Sequence, residues 1–322
     1  MAPGGLRAGW RRWLAAVCLA LLTGCAAVTK PDPGRSVAGV NPPRAELAAV
    51  PFFPDNEDQC GPAALATVLR SAGIDRNPAQ LKEQVYLPER RGSLQFELLG
   101  AARRAGAIPY VLRPLAGDLL REVAAGNPVV VLQDVGGLFR TQWHYAVVVG
   151  YDLEQREVTL RSGTLHRLVM PLDDFDRTWA KSNRWAFVAL PPGQRAATAN
   201  EADYVAAAAD FARVTPALAE KAYGSVLEAW PTNLFARLAL GNAAYRSRQL
   251  DQAEAHYRRA TVDHPESADA WNNLAQALFE QGRRVQAAEA AQRAVGIGGP
   301  RMAVYARTLA RIGETGAVAQ PN

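Results

Sequence analysis

The stretch Asp58-Gln59-Cys60-Gly61-Pro62-Ala63-Ala64-Leu65 is answered 84 residues beyond its cysteine by Trp143-His144-Tyr145-Ala146-Val147-Val148-Val149-Gly150-Tyr151-Asp152. Pro62 is a residue favoured in the first helical turn, and Leu65, Val68 and Leu69 follow at helical spacing, so a helix is expected to start at the thiol. The second stretch is a β-branched and aromatic run that reads as a strand with His144 near its beginning. Backbone N–H groups and the positive end of the helix dipole favour a thiolate at Cys60, and a nearby imidazolium lowers its pKa further. The expectation is therefore a nucleophile, Cys60, paired with a base, His144.

Working outward to the front of the chain, Arg7, Arg11 and Arg12 precede an apolar run from Trp13 to Leu22. That run is too short to span a bilayer and has the layout of a targeting segment. Leu22-Thr23-Gly24-Cys25 resembles the bacterial lipoprotein signal, which implies that residues 1–24 are removed and that Cys25 is lipidated as the first mature residue. Several acyl chains give stable membrane attachment where one is marginal. Ala26, in place of the aspartate that favours inner-membrane retention in many such lipoproteins, implies an outer-membrane anchor facing the periplasm.

Removal of the signal changes the reading of composition. The full chain carries a formal charge of +5, but three of its 36 basic residues leave with the signal, so 33 remain against 31 acidic ones, a net of +2. Nothing in that balance favours a nucleic-acid partner. Of the three cysteines, Cys18 is cut away, Cys25 is acylated and Cys60 remains alone, so no intrachain disulfide is expected. A lone thiol in an oxidising compartment is a liability unless it is buried or used.

Composition divides the mature chain. Residues 25–48, with Pro31, Pro33, Pro42 and Pro43, read as a flexible tether. Residues 49–191 read as one α+β domain, helices first (after Cys60, after Asn77-Pro78, from Ser93 and from Leu115) and then strands at Val129–Leu132, His144–Tyr151, Glu157–Arg161, Leu168–Met170 and Trp185–Leu190. Residues 192–200 are read as a linker, 201–314 as an all-α repeat solenoid, and 315–322 as a disordered tail. Ala219, Ala253 and Ala287 stand 34 residues apart, as do Tyr223, Tyr257 and Ala291, while Gly241 and Ala275 keep the same interval. The period and the small residues resemble the tetratricopeptide repeat, whose paired helices cross closely. The clearest units are 234–267 and 268–301, with 200–233 a degenerate first unit and Met302–Ile312 a closing helix.

The two opening motifs, in this order and with this helix-then-strand context, resemble the papain-like cysteine peptidases that remove double-glycine leaders from bacteriocins. The resemblance covers about residues 50–190 and implies a papain-like α+β fold and hydrolysis of peptide bonds. By it, Cys60 attacks a carbonyl carbon, and His144 holds the thiol proton before passing it to the leaving amine. The backbone N–H of Cys60 supplies one oxyanion donor. That family places a glutamine five or six residues before the cysteine, where this chain has Asp55 and Pro54. Asn56 and Gln59 are the nearby amides, and Gln59 is taken as the oxyanion candidate. The family's strand aspartate is replaced by Ser162, which is taken as the residue orienting His144. Asp152 closes the far end of the strand, about 26 Å from His144 at ~3.3 Å per residue, and reads as a turn former.

Other groups give no chemistry of their own. His166, His256 and His264 lack metal-ligand spacing with one another or with His144, so neither a metal nor a cofactor is expected. Gly136-Gly137 reads as a turn, and Arg90-Arg91 and Arg103-Arg104 as solvated surface. With a lipoprotein signal before and helical repeats after, the whole chain resembles a family of bacterial lipoproteins with cysteine peptidase domains. The expected partners are a peptide or protein substrate, a protein held by the repeats, and a membrane reached through the lipid anchor. The alternative is a catalytically weak, peptidase-like binding module on an envelope scaffold. Acyl transfer to an amine would use the same residues.

Overall fold

The computed structural model describes residues 37–55, 59–137 and 140–317. The signal, Cys25 and the first part of the tether lie outside the described residues, as do residues 318–322 of the tail. No helix among the described residues is long and apolar enough to cross a membrane.

The described residues form nine strands and twelve α-helices. The strands are β1 (Arg44–Glu46), β2 (Tyr86–Leu87), β3 (Gly92–Ser93), β4 (Ile108–Val111), β5 (Val129–Asp134), β6 (Trp143–Asp152), β7 (Glu157–Ser162), β8 (Leu165–Pro171) and β9 (Ala186–Leu190). The peptidase-like half has helices α1 (Cys60–Ser71), α2 (Pro78–Val85), α3 (Gln95–Ala105), α4 (Ala116–Ala124) and α5 (Leu172–Trp179). The seven-stranded antiparallel sheet runs β4-β9-β5-β6-β7-β8, with β1 also paired to β6.

Strand β6 is apolar without a polar alternation because both of its faces are covered. Tyr145, Val147 and Val149 enter one core with Leu65, Val68 and Leu69 of α1 and Leu98 of α3. Ala146 and Val148 enter the opposite core with Leu119 and Leu120 of α4 and Phe175 and Trp179 of α5. Helix α1 is correspondingly buried from Gly61 to Leu69, as a helix apolar on every side must be. Helix α2 begins with a capping box: Asn77 accepts from the Gln80 N–H at 2.9 Å, and Gln80 accepts from the Asn77 N–H at 3.2 Å.

Two domain boundaries read from the sequence are corrected here. The tether reading of 25–48 fails at its end, because β1 pairs with β6, Glu46 opposite Gly150. A Cβ on Gly150 would lie 2.9 Å from the Ala45 carbonyl, so only glycine lets β1 approach. Prolines and glycines masked this short strand in the sequence. Strand β4, absent from the strands expected above, carries Pro109 and sits at the sheet edge, where a missing N–H is tolerated. Helix α5 was also unforeseen, although Leu172, Phe175 and Trp179 are spaced for one buried face.

The second boundary is the 192–200 linker, which is part of the fold. Glu122 of α4 is fully buried and accepts from the N–H of Ala197 at 3.1 Å and of Thr198 at 2.7 Å, from the Thr198 hydroxyl at 2.6 Å and from the Asn127 amide at 2.7 Å. Four donors satisfy a carboxylate that would otherwise be costly to bury. The core on this side of the sheet continues into the repeats through Tyr204, Ala208, Phe211 and Val226.

The repeats are α6 (Glu201–Val214), α7 (Ala219–Ala229), α8 (Leu234–Arg246), α9 (Leu250–Asp263), α10 (Ala268–Glu280), α11 (Arg284–Ile297) and α12 (Met302–Ala317). The first helix of each pair is capped by a side chain, Asn200, Asn233 or Ser267, that accepts from the N–H three residues on. Gly241 of α8 is where its pair crosses most closely: an added Cβ would meet the Tyr257 ring at 2.5 Å. One period later the equivalent positions hold Ala275 and Ala291. Helix α12 closes the stack by burying Tyr305 and Ile312. Asp210 of α6 reaches back to Arg103 of α3 at 3.1 Å, so Arg103 is a bridge between the two halves and not solvated surface.

These contacts predict opposite outcomes for two helical glycines. Gly241→Ala should cost about 1–3 kcal/mol through overpacking against Tyr257, read as a lower denaturation midpoint in urea. Gly224→Ala in α7, where an added Cβ meets nothing within 4 Å, should be neutral or stabilising by up to about 1 kcal/mol.

Candidate active site

Three chain segments converge at the start of α1. Helix α1 presents Cys60 at its first residue, β6 presents His144 at its second, and the segment before α1 supplies Asp55. The Cys60 Sγ, a His144 ring nitrogen and an Asp55 carboxylate oxygen all lie within 4.8 Å of one another. The structure thus brings together the two residues that the opening motifs singled out.

Each side chain is held by its own local structure. The β6–β7 register sets Val147 opposite Arg161, which brings Ser162 beside the start of β6. Ser162 Oγ lies 2.9 Å from His144 Nε2. Asp55 is fixed at both ends: its N–H donates to the Gly163 carbonyl at 2.9 Å, and its Oδ1 accepts from the Gln59 N–H at 3.0 Å. Arg161, buried beneath, donates to the carbonyls of Ala48 and Val50 at 3.2 Å each and of His166 at 2.6 Å. It pins the segment that leads to Asp55. Gln59 caps nothing with its side chain, and among the described residues its amide makes no hydrogen bond.

Gly61 explains the Cys-Gly-Pro order. A Cβ there would stand 2.5 Å from Ser93 Oγ, so glycine lets β3 cross close to the thiol. Tyr145 adds to this contact by donating its hydroxyl to the Ser93 carbonyl at 3.1 Å. The Ser93 hydroxyl is buried and has no hydrogen-bond partner among the described residues. Nothing in the sequence pattern pointed to it, because it is set by a two-residue strand.

The site opens into a cleft of about 640 Å³ lined by Asp55, Cys60, Ser93, Leu94, Trp143 and His144, with Arg90, Arg91 and Arg140 at its rim. Trp143 is half exposed there. The turn at Gly136 is held by Asp134, whose Oδ1 accepts from the N–H groups of Gly136 at 3.0 Å and Gln142 at 2.9 Å. The remaining histidines stand apart: His166 packs edge-on against Phe52, His264 bonds to the Thr232 carbonyl, and His256 lies in the repeats. Asp152 accepts from the N–H groups of Glu154 and Gln155, both at 3.0 Å, as a turn former does.

The electrostatics differ from the thiolate expectation. Burial pushes the Cys60 thiol up to about 11, and the nearby Asp55 carboxylate adds to the rise. Backbone N–H groups, including those of Tyr145 and Gly61, oppose it without reversing it. Burial lowers His144 below the ordinary imidazole range, while Asp55 acts to raise it. At Cys60 desolvation outweighs the backbone hydrogen bonds, and at His144 it outweighs the pull of Asp55, leaving a neutral thiol beside a neutral imidazole.

Residues 47–183 match the Peptidase_C39 like family and residues 238–301 match a tetratricopeptide repeat. The protein is built from a C39-like peptidase domain, spanning about residues 44–190, followed by a helical tetratricopeptide-repeat region. Two uncharacterized proteins, from Methanothermobacter thermautotrophicus and Methanothermobacter marburgensis, are each 31% identical to it over 118 residues, covering 37% of this chain and 74% of theirs. This chain belongs to the same family as those two proteins. Among solved structures, a putative C39-like peptidase from Bacillus anthracis is 20% identical, with a TM-score of 0.40 over 48% of this chain and 98% of its own. The peptidase domain of Streptococcus ComA, a bi-functional ABC transporter, is 19% identical, with a TM-score of 0.37 over 44% of this chain and 98% of its own.

The pKa directions predict how the thiol reacts. Alkylation of Cys60 by iodoacetamide should be slow at neutral pH and rise toward a midpoint near 11. Asp55→Asn removes a charge that raises the thiol pKa, so the midpoint should fall and neutral-pH labelling should quicken. Peptide mapping of the labelled, natively folded protein reads both effects.

Proposed function

We propose that the protein is a lipid-anchored cysteine peptidase of the bacterial envelope, with Cys60 as nucleophile, His144 as general base and acid, and the repeats holding a peptide or protein partner. The observation that carries this reading is the convergence of Cys60, His144 and Asp55 within 4.8 Å at the floor of an open cleft. Tetratricopeptide repeats generally mediate protein–protein interactions, which supports the partner-holding role.

Because the pair rests neutral, attack and proton transfer go together. Cys60 Sγ bonds to the substrate carbonyl carbon as its proton passes to His144. His144 then gives that proton to the amine as the C–N bond breaks, leaving a thioester. Water, deprotonated by His144, hydrolyses the thioester and restores the thiol. The Cys60 N–H and the unengaged Gln59 amide are the proposed oxyanion donors. Ser162 holds Nε2 and so fixes the ring, while the Asp55 carboxylate favours the imidazolium that forms during attack. Asp55 thus supplies the negative charge that Ser162, a neutral group, lacks.

A second reading, a peptidase-like binding module with little turnover, is favoured by the same thiol pKa of about 11 and by the neutral Ser162. Partner capture with Cys60→Ala separates the two. Trapped, uncleaved substrate supports catalysis, whereas unchanged partners and an unchanged cellular phenotype support scaffolding.

Under the peptidase reading, Cys60→Ala abolishes cleavage of a peptide library and His144→Ala lowers kcat/KM by about 10²–10⁴-fold. The acid limb of the rate profile should lie below the ordinary imidazole range, because His144 is depressed and must be neutral to act. Native Cys60 that no thiol reagent reaches until denaturation would overturn the assignment. For the anchor, Cys25→Ser should abolish lipid incorporation and release the protein from the membrane fraction.

A further inference from the structure

Asp55, Cys60 and His144 offer an oxygen, a sulfur and a nitrogen, each from a different segment, with the three ligand atoms within 4.8 Å of one another. We propose that these three side chains form a binding site for one zinc-type divalent ion, with the fourth coordination position open to the cleft.

The donor set decides the metal. Zinc takes thiolate, imidazole and carboxylate ligands at about 2.3, 2.0–2.1 and 2.0–2.2 Å, and three protein ligands with one open position is its usual reactive arrangement. Ligands at those lengths around a tetrahedral centre stand about 3.3–3.6 Å apart, so the present cluster closes on an ion by side-chain movements of about 1 Å. Magnesium and calcium prefer all-oxygen shells and are disfavoured by the sulfur.

The surroundings orient two of the ligands, as outer-shell groups at metal sites do. Ser162 engages His144 Nε2 at 2.9 Å, leaving Nδ1 as the nitrogen for the ion. The Gln59 N–H holds Asp55 Oδ1 at 3.0 Å. Binding displaces the thiol proton of Cys60 to solvent, because sulfur ligates as thiolate. The cleft gives the ion a path of entry from solvent.

Metal binding and peptide hydrolysis would compete for the same two atoms, the Cys60 sulfur and the His144 nitrogen. Zinc therefore acts as a reversible block on the site. That consequence rests on the peptidase reading, whereas the ion site itself does not.

The test is a calorimetric titration of the chelator-treated full chain with Zn²⁺ in two buffers of different ionisation enthalpy, followed by Co²⁺ substitution. The expected result is one ion per chain with proton release, a sulfur-to-cobalt charge-transfer band, and no binding of Mg²⁺. Asp55→Asn should weaken Zn²⁺ at least tenfold, and Cys60→Ser should remove the band. Zinc should also protect Cys60 from alkylation, and chelation should restore labelling. Absence of stoichiometric binding, or binding unaltered in both variants, overturns the proposal. The band and the stoichiometry are read without turnover, so failure of peptidase activity in chelator would count against the peptidase reading alone.

Discussion

Burial of strand β6 on both faces is the constraint from which the site follows. Its odd-numbered residues Tyr145, Val147 and Val149 hold α1 and α3 against one face, and Ala146 and Val148 hold α4 and α5 against the other. A strand so enclosed, and paired along both edges to β5, β1 and β7, has its register fixed, since a slip of one residue would exchange its two faces. The fixed register sets where the strand begins. His144 is therefore delivered to the start of α1, where Cys60 waits. Ser162 is placed beside it by the same pairing.

The same burial sets the chemistry. Removing Cys60 and His144 from water disfavours their charged forms more than the backbone N–H groups at the thiol and the Asp55 carboxylate at the imidazole offset, and the pair rests neutral. Asp55 acts oppositely on its two neighbours, disfavouring a thiolate and favouring an imidazolium. A carboxylate in this place favours the protonated form of the imidazole beside it. It also makes the cluster chemically versatile, since oxygen, nitrogen and sulfur ligands face one another across a few ångströms.

The repeats are joined to this arrangement by more than chain connectivity. Glu122 gathers the backbone of 197–198 into the fold, and Tyr204, Ala208 and Phe211 extend the core behind the sheet. The Arg103–Asp210 pair adds a polar bridge at the edge of the same contact. The repeat helices are thereby joined to the peptidase-like half with no free linker between them.

The sequence by itself determined the helix at Cys60, the strand at His144, the α+β class and the 34-residue repeats, because each rests on periodicity or local turn chemistry that neighbouring residues state directly. Its reading of 192–200 as a linker failed, because the partner that orders those residues, Glu122, lies some seventy positions earlier. Strand β1 was hidden for a similar reason, since its pairing depends on Gly150 far along the chain. Only the tertiary structure turned Asp55 toward the histidine, put Ser162 within hydrogen-bonding reach, and enclosed the thiol deeply enough to hold it neutral. Those are properties of three-dimensional proximity and desolvation, which one-dimensional spacing does not encode.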